Sequence, residues 1–341
     1  IKIEEEYSGF SVHVTDASRS VGVVGKILNE ETKDDFIATT KKDYIDLRES
    51  YLARDKKSNN LIIEEARKRK FNEDWNSYSL LKPKLIGKKV LKDFPLADLV
   101  EYIDWGPFFH TWELKGKFPN ILTNEKYGDQ AKLLYNDAKK MLDEVITNNQ
   151  LTADAVFGIY PANAKNESVN VEGYEFNFPR QLVDKGPNKI NYSLADFISV
   201  DQDWIGMFAV TAGKGIESLV DQYEKEHDDY KIIMIKAIAD RLAEAFAEKL
   251  HQMIRVDYWG YSSEKDLTKE DLIKEKYAGI RPAPGYPACP DHSEKDKIWK
   301  ILDVENEVGI ILTENRAMYP AASVSGWYFS HPKSVYFSVL N

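Results

Sequence analysis

The 341-residue chain contains a single cysteine, Cys289. One thiol cannot form a disulfide within the chain, and a zinc site built on cysteines needs several of them, so both kinds of site are excluded. A sequence with so little cysteine is typical of a reducing compartment. We therefore expect a cytoplasmic protein.

The sequence also lacks a long apolar run and a surplus of positive charge. No stretch approaches the roughly 20 apolar residues that a membrane-spanning helix needs, and the net charge is −10. The one dense basic run, residues 67–70, follows a helical pattern and predicts a solvated helix end, because cations suit the negative end of the helix dipole. We expect neither a nucleic acid nor a membrane as a partner.

The first residues lack the basic character of a secretory leader. Residues 1–6 read Ile-Lys-Ile-Glu-Glu-Glu, and the first residue is not methionine. We therefore expect that the chain was cut from a longer polypeptide, and the strand pattern that stops at residue 340 indicates that a C-terminal piece is missing as well. Hydrophobic residues make up 43% and charged residues 30% of the chain, which is the balance of a globular protein with a core.

Two short parts precede the main body of the sequence. Residues 1–28 combine a strand pattern at 9–14 with a turn and helix start at 18–25, and we interpret them as the tail of a preceding domain and a linker. Residues 29–75 are strongly charged and predict a helical arm, with one helix over about 29–53 and another over about 61–70.

The rest of the sequence, to residue 341, mixes helices and strands. Apolar spacing predicts helices over 128–149 and 229–256 and another that ends at Gly106-Pro107. Alternation predicts strands over 155–160, 169–178, 204–211, 322–330 and 335–340. Because the order does not alternate regularly, it favours an α+β fold over a doubly wound sheet. Residues 208–215 have only two of the glycines of a nucleotide-binding loop, so we interpret them as a plain strand-to-helix turn.

The most informative segment is Gly279–His292, which has four prolines and two glycines in fourteen residues. It cannot be a helix or a central strand, so it predicts a rigid, nearly extended loop. Such a loop can present Arg281, whose planar guanidinium fork matches a carboxylate. From composition alone, a rigid connector in which Arg281 pairs with a neighbouring acid is the favoured interpretation.

This loop resembles the signature loop of the methionine synthase activation domain. Three more segments, Tyr102–Trp105, Ala239–Glu248 and Ser323–His331, resemble the same family in the same order. The resemblance covers about residue 29 to the end, and residues 1–28 resemble the close of the cobalamin-binding domain that precedes it. It implies a single C-shaped α+β domain with a central twisted antiparallel sheet and surrounding helices.

The resemblance also implies that the domain binds S-adenosylmethionine. By motif, Arg281 would hold the methionine carboxylate, Asp104 would pair with the α-amino group, and the backbone at Ala283 and around Gly285 would meet the adenosine. Further contacts are implied at Tyr286, Tyr336 and Phe337. The family often has tyrosine at both of the last two positions, so Phe337 would supply packing without a hydroxyl.

Two carboxylates, Asp240 and Glu244, lie at positions i and i+4 of the long predicted helix and share a face. Like charges in this arrangement cost stability unless something compensates them. For Asp240, a salt bridge and a ligand contact stay equally open. The family motif places Glu244 near the sulfonium and amino groups, and Glu275 is a weaker candidate of the same kind.

A second implied surface faces cobalamin, which the neighbouring domain of the same polypeptide mainly binds. Its candidate residues are His292, Met318, Pro320, Ala321 and Ser323, with the lone His331 as a further candidate. Small residues between 317 and 326 would let a broad, flat corrin approach the backbone. A close-packed core strand explains the same pattern.

The function that the resemblance implies is reactivation of an enzyme that transfers a methyl group from 5-methyltetrahydrofolate to homocysteine. Oxidised cob(II)alamin would regain a methyl group from S-adenosylmethionine with one electron from flavodoxin or a related flavoprotein reductase. Because cobalt is the nucleophile, no catalytic residue is expected in this chain, and zinc only in other domains of the intact enzyme. The alternatives are a stand-alone S-adenosylmethionine-dependent methyltransferase, which usually has a glycine-rich loop, and a non-catalytic interaction domain.

Overall fold

The computed structural model describes residues 7, 9–14, 17–55, 60–263, 267–268, 271–272 and 274–340. The chain divides into two compact units, residues 1–61 and residues 62–341. The predicted boundary at residues 28 and 29 falls inside the first unit, and the assignment of residues 1–28 to a preceding domain stays a prediction.

The first unit is a pair of helices, α1 (Ala17–Leu28) and α2 (Glu30–Asp55), which contact each other. The predicted helix over 29–53 is confirmed. The strand predicted at 9–14 is wrong, because these residues form no ladder with the described part of the chain. They lie along α2 instead: the ring of Phe10 meets that of Phe36 edge-on, and Tyr44 accepts a hydrogen bond from the backbone of His13.

The second unit is built on a sheet in which every strand pair is antiparallel. Its strands follow the order β4-β3-β2-β5-β8, and β1 also pairs with β2. Their bounds are Gly87–Leu91 (β1), Thr152–Lys165 (β2), Ser168–Val171 (β3), Tyr174–Asn177 (β4), Asp203–Lys214 (β5) and Ser323–Tyr328 (β8). Strands Ile311–Leu312 (β6) and Met318–Tyr319 (β7) form a separate pair. The predicted α+β fold with an antiparallel sheet and surrounding helices is confirmed.

Helices surround this sheet. The α-helices are Ile63–Lys68 (α3), Gly106–Thr111 (α4), Gly128–Thr147 (α5), Ile216–Lys225 (α6), Asp229–Met253 (α7), Lys295–Leu302 (α8) and Val304–Val308 (α9). Short 3-10 helices span Leu96–Tyr102, Asn120–Thr123, Leu194–Phe197 and His292–Glu294, and a π-helix spans Ile254–Tyr258. The predicted helices over 128–149 and 229–256 are confirmed with slightly earlier ends.

Both faces of the sheet are buried, since β5 is buried along nearly its whole length. Phe208 and Val210 belong to the core that contains the apolar stripe of α7, whereas Ile205 and Met207 belong to the core that contains Trp299 of α8. The turn after β5 reaches α6 through Gly215, whose φ of +93° is the left-handed conformation that glycine tolerates. The predicted strand-to-helix turn is confirmed.

Three local predictions need correction. Residues 169–178 are a hairpin of two strands, because Glu172 and Gly173 have positive φ and reverse the chain. Residues 335–340 form no strand; Val339 instead donates to the carbonyl of Pro287, and Ser338 accepts from Gln181. Gly106-Pro107 begins helix α4 after a separate 3-10 helix has ended at Tyr102, since proline fits the first turn of a helix.

The basic run lies at the end of α3, as predicted, but it is not simply solvated. Arg67 forms a 2.6 Å ion pair with Glu167, and Arg69 forms a 2.5 Å ion pair with Asp184. These two arginines therefore tie α3 to segments that are distant in sequence.

Candidate functional site

The proline-rich loop begins as a continuation of the sheet. Ile280 and Phe329 exchange two backbone hydrogen bonds of 3.0 Å, and Trp327 donates its N–H to the carbonyl of Pro282 over 2.9 Å. Beyond this point the loop is neither helix nor central strand, as predicted, but its predicted extended course is interrupted by a turn. Arg281 is therefore held by backbone pairing on both of its sides.

The loop then turns sharply around Gly285. This glycine has φ +91°, and its N–H donates to the carbonyl of Cys289 over 2.8 Å. A Cβ at this position would lie 2.1 Å from the ring of His292, so only glycine fits the turn. Burial raises the pKa of the Cys289 thiol to about 12, which makes this cysteine a packing residue of the loop.

A cleft of about 360 Å³ opens between this loop, helix α7 and strand β8. Seven of the residues implied by sequence resemblance line it: Glu244, Glu275, Arg281, Ala283, Tyr286, Tyr336 and Phe337. The rest of the lining is Phe208, Pro282, Pro287, Ala288, Val324 and Ser325. The cleft thus combines two acids and one arginine with a mainly apolar wall, the composition typical of a small-molecule site.

The arginine of the cleft has two partners. Nη1 of Arg281 donates to Oε2 of Glu248 over 2.5 Å and to the hydroxyl of Tyr277 over 2.8 Å. Burial is the largest single influence on the pKa of Arg281 and lowers it, but Glu248, Tyr277, Tyr336 and Glu275 together raise it by more, so the net shift is upward. Arg281 thus pairs with a neighbouring acid, as composition favours, and it also lines the cleft. The guanidinium therefore stays charged at the cleft wall.

Sequence reasoning did not single out Glu248. It lies one turn after Glu244 on α7 and is buried, with only 8% of its surface exposed. The signal that could have found it is a glutamate inside an otherwise apolar helix stripe, since a buried carboxylate needs a cationic partner. Its partner comes from a loop 33 positions along the chain.

Tyr336 approaches the loop from the C-terminal segment. Its hydroxyl accepts the backbone N–H of Arg281 over 3.1 Å. The residue as a whole is 45% exposed, but its hydroxyl end is buried beside Arg281, and this burial raises the pKa of Tyr336 to about 12. Phe337 also lines the cleft and stacks on Tyr192, with ring centroids 5.6 Å apart. Tyr336 therefore fixes the loop, whereas Phe337 forms part of the apolar wall.

Three implied ligand residues lie outside the cleft lining. Gly285 forms the turn described above, and Asp240 is an exposed residue of α7, one turn before Glu244. Partial burial of its carboxyl group raises the pKa of Asp240. Asp104 is exposed, and its Oδ1 accepts the N–H of Gly106 over 2.9 Å at the start of α4. An acid at a helix start is favourable, so the carboxylate of Asp104 suits the start of α4 as well as the implied ligand contact.

The residues implied to face cobalamin differ in exposure. His292 and Ala321 are exposed and Met318 is half-buried, whereas Pro320 and Ser323 are buried. The hydroxyl of Ser323 donates to the carbonyl of Pro320 over 2.7 Å, so these two residues serve packing. The open part of this surface consists of the other three.

His331 is buried in an aromatic cluster. Its ring stacks on Tyr78 at 4.7 Å and also contacts Phe71, Trp75 and Phe197. Burial lowers the pKa of His331, although Glu73 lies 3.3 Å away. Its imidazole is a core group of the second unit.

Two further properties concern the described residues as a whole. Within the described ranges, no three histidine, cysteine, aspartate or glutamate side chains converge on a point that suits a metal ion. In the same part of the chain, no helix combines the length and the apolar character needed to cross a bilayer.

Known proteins resemble this chain in both sequence and structure. Residues 95–341 match the family model described as the activation domain of vitamin B12-dependent methionine synthase. A crystal structure described as the MetH reactivation domain bound to AdoHcy superimposes with a TM-score of 0.79 at 44% sequence identity. That match covers 82% of this chain and 89% of the other.

Proposed function

The chain belongs to the activation-domain family of vitamin B12-dependent methionine synthases, and on that premise we propose that its cleft binds S-adenosylmethionine. The bound methyl group would be presented to cobalamin for reductive remethylation. The intact enzyme would transfer a methyl group from 5-methyltetrahydrofolate to homocysteine. A solved relative described as bound to AdoHcy, which shares the adenosyl and amino acid parts of this ligand, supports the proposal.

One observation carries the proposal: charges of both signs line the same cleft. S-adenosylmethionine has one carboxylate and two cationic centres, the α-ammonium and the sulfonium. The cleft offers Arg281 for the carboxylate and Glu244 and Glu275 for the cations. Its volume of about 360 Å³ lies within the range of small-molecule pockets. The residues present therefore fit this ligand.

The apolar part of the cleft suits the adenosine. Tyr286 and Phe337 offer aromatic faces beside the backbone of Ala283, and aromatic rings stack favourably on a planar base. Asp104 lies outside the lining, on the loop before α4, and would pair with the α-amino group. The prolines hold the loop in place before the ligand arrives, which lowers the entropic cost of binding.

The residues of this chain would bind and orient the ligand rather than react with it. Cobalamin supplies the nucleophile and the redox chemistry when it is present. Placing the methyl group in line, with water excluded by the apolar wall, can account for much of the rate acceleration. The surface that we assign to the corrin side consists of the exposed His292 and Ala321 and the half-buried Met318.

The wider setting follows from the same proposal. We assign residues 1–28 to the end of the cobalamin-binding domain and its linker, and residues 29–75 to a helical arm. The electron would come from flavodoxin or a related flavoprotein reductase, and the reaction would take place in the cytoplasm.

Isothermal titration with S-adenosylmethionine tests the proposal. We expect binding by the parent chain, and a loss of affinity of more than about tenfold in Arg281→Ala, because a charge-assisted hydrogen bond is removed. Arg281→Lys should also bind more weakly, since an ammonium cannot replace a bidentate fork. Arg316→Ala is the matched control, because Arg316 pairs with Asp296 and does not line the cleft. Absence of heat in the parent chain would refute the proposal, and unchanged affinity in both Arg281 variants would remove this residue from the site.

A further inference from the structure

We infer that Glu248 and Tyr277 are positioning residues that orient Arg281 toward a ligand carboxylate. The inference rests on the proposed function, since it concerns the same cleft. It adds two groups behind the cleft wall, neither of which belongs to the lining. Their proposed effect is selectivity for ligands that carry a carboxylate.

The three side chains form a closed triangle of hydrogen bonds. Nη1 of Arg281 donates to Glu248 and to the hydroxyl of Tyr277, and this hydroxyl donates in turn to Oε2 of Glu248 over 3.3 Å. The two hydrogen bonds that Nη1 donates therefore fix its position. Because the guanidinium is planar, fixing Nη1 also fixes the plane and the direction of the opposite edge.

That opposite edge is available. Among the residues that the structure describes, Nε and Nη2 of Arg281 have no hydrogen-bond partner. The side chain is 17% exposed and lines the cleft. An Nε–Nη2 edge presents two parallel N–H groups, which is the arrangement that a carboxylate accepts in a bidentate pair.

The triangle is itself held from behind by Arg255. This residue is fully buried, lies 3.7 Å from Oε1 of Glu248 and places its guanidinium 3.7 Å from the ring centroid of Tyr277. Arg255 therefore contacts both positioning residues from one side. A second layer of contacts of this kind limits the rotamers of the layer that meets the ligand.

The physical consequence is a smaller entropic cost of binding. A free arginine side chain has many rotamers, and ordering them on binding lowers the affinity. Here the ion pair has already selected one orientation. Removal of Glu248 or Tyr277 should leave the charge of Arg281 in place but no longer fix the orientation of its guanidinium. Only the interaction with the ligand carboxylate should then weaken.

Two ligands distinguish positioning from general structural support. S-adenosylmethionine carries the carboxylate, whereas decarboxylated S-adenosylmethionine keeps the ammonium and the sulfonium without it. We expect Glu248→Gln and Tyr277→Phe to lower the affinity for the first ligand about tenfold, the effect of a misaligned charge-assisted hydrogen bond. Their affinity for the second ligand should equal that of the parent chain.

The control is a second glutamate that bridges two arginines. Glu167 contacts Arg67 and Arg180 and does not line the cleft. Glu167→Gln should leave both affinities unchanged. In a double variant, adding Glu248→Gln to Arg281→Ala should cause no further loss, since Glu248 acts through Arg281.

The results separate this inference from the proposed function. Equal weakening of both ligands, or no weakening of either, by Glu248→Gln and Tyr277→Phe would overturn the inference while leaving Arg281 in the site. If Arg281→Ala itself fails to discriminate between the two ligands, the carboxylate contact is wrong and this inference falls, whereas the proposed binding of S-adenosylmethionine falls only if the parent chain does not bind it. Tyr277→Phe loses only a hydroxyl, so it decides the question if Glu248→Gln does not fold.

Discussion

The backbone N–H of Trp327 donates to the carbonyl oxygen of Pro282 over 2.9 Å. Gly326, the preceding residue of strand β8, lies against this same carbonyl, and a Cβ added to it would approach the oxygen within 2.5 Å. The loop that carries Arg281 can therefore lie on the sheet only where β8 has no side chain. This contact couples the strand to the ligand cleft.

We predict that Gly326→Ala displaces the loop and weakens S-adenosylmethionine binding. The clash involves backbone atoms, so it should also lower the free energy of unfolding by about 1–3 kcal/mol. Gly25→Ala in helix α1 is the control, because nothing lies within 4 Å of its added Cβ. Urea unfolding and titration calorimetry measure the two effects. A Gly326→Ala protein with parental affinity and stability would show that the loop does not depend on this contact.

The second prediction separates two roles of Asp104. Its Oδ1 accepts the N–H of Gly106, and an asparagine oxygen can do the same. Asp104→Asn should therefore keep its thermal stability but bind S-adenosylmethionine more weakly, because it loses the charge that pairs with the amino group. Asp104→Ala should lose both properties. If the asparagine variant binds as tightly as the parent, the carboxylate serves only the start of α4.

The third prediction concerns pH. Asp203 is 5% exposed, and burial raises its pKa to about 6 from 3.8, although two backbone N–H groups donate to it. Between these pH values the folded chain keeps a proton that the unfolded chain releases. The contribution of this group to stability is therefore fully present below pH 4 and declines as the pH rises to 6, by up to about 3 kcal/mol for two pKa units.

Asp203→Asn should remove this dependence. The free energy of unfolding of the parent minus that of the variant should fall between pH 4 and pH 6 and stay constant above pH 7. Asp201→Asn, at an exposed neighbouring position, is the control. Parallel curves for the parent and the Asp203 variant, obtained by urea unfolding across this range, would contradict the assignment.

The fourth prediction concerns the surface assigned to the corrin. Ala321 is exposed and does not line the cleft. We expect Ala321→Trp to leave S-adenosylmethionine binding intact but to block methyl transfer to reduced cobalamin in the full enzyme, because the indole would hold the corrin away. Val200→Trp, at a residue that is 56% exposed, should affect neither. Normal remethylation by a folded Ala321→Trp enzyme would rule this surface out.

Local chemistry was enough to predict several parts of the structure. The prolines between positions 282 and 290 remove backbone donors and fix φ, so an irregular loop follows from the sequence alone. The stripes of α5 and α7 follow from apolar spacing, which is also a local property. Seven cleft residues were named from motifs, because they lie in or near short segments whose sequence resembles the family.

Non-local contacts decided the rest. Residues 335–340 alternate like a strand, but they hydrogen-bond with Pro287 and Gln181 instead of joining the sheet, and no local pattern encodes the choice of partner. The sequence by itself determined the helix stripes, the rigid loop and the residue types of the cleft. Only the tertiary structure decided that Glu248 of α7 meets Arg281, because an ion pair between segments 33 residues apart depends on how the helix and the loop pack on the sheet.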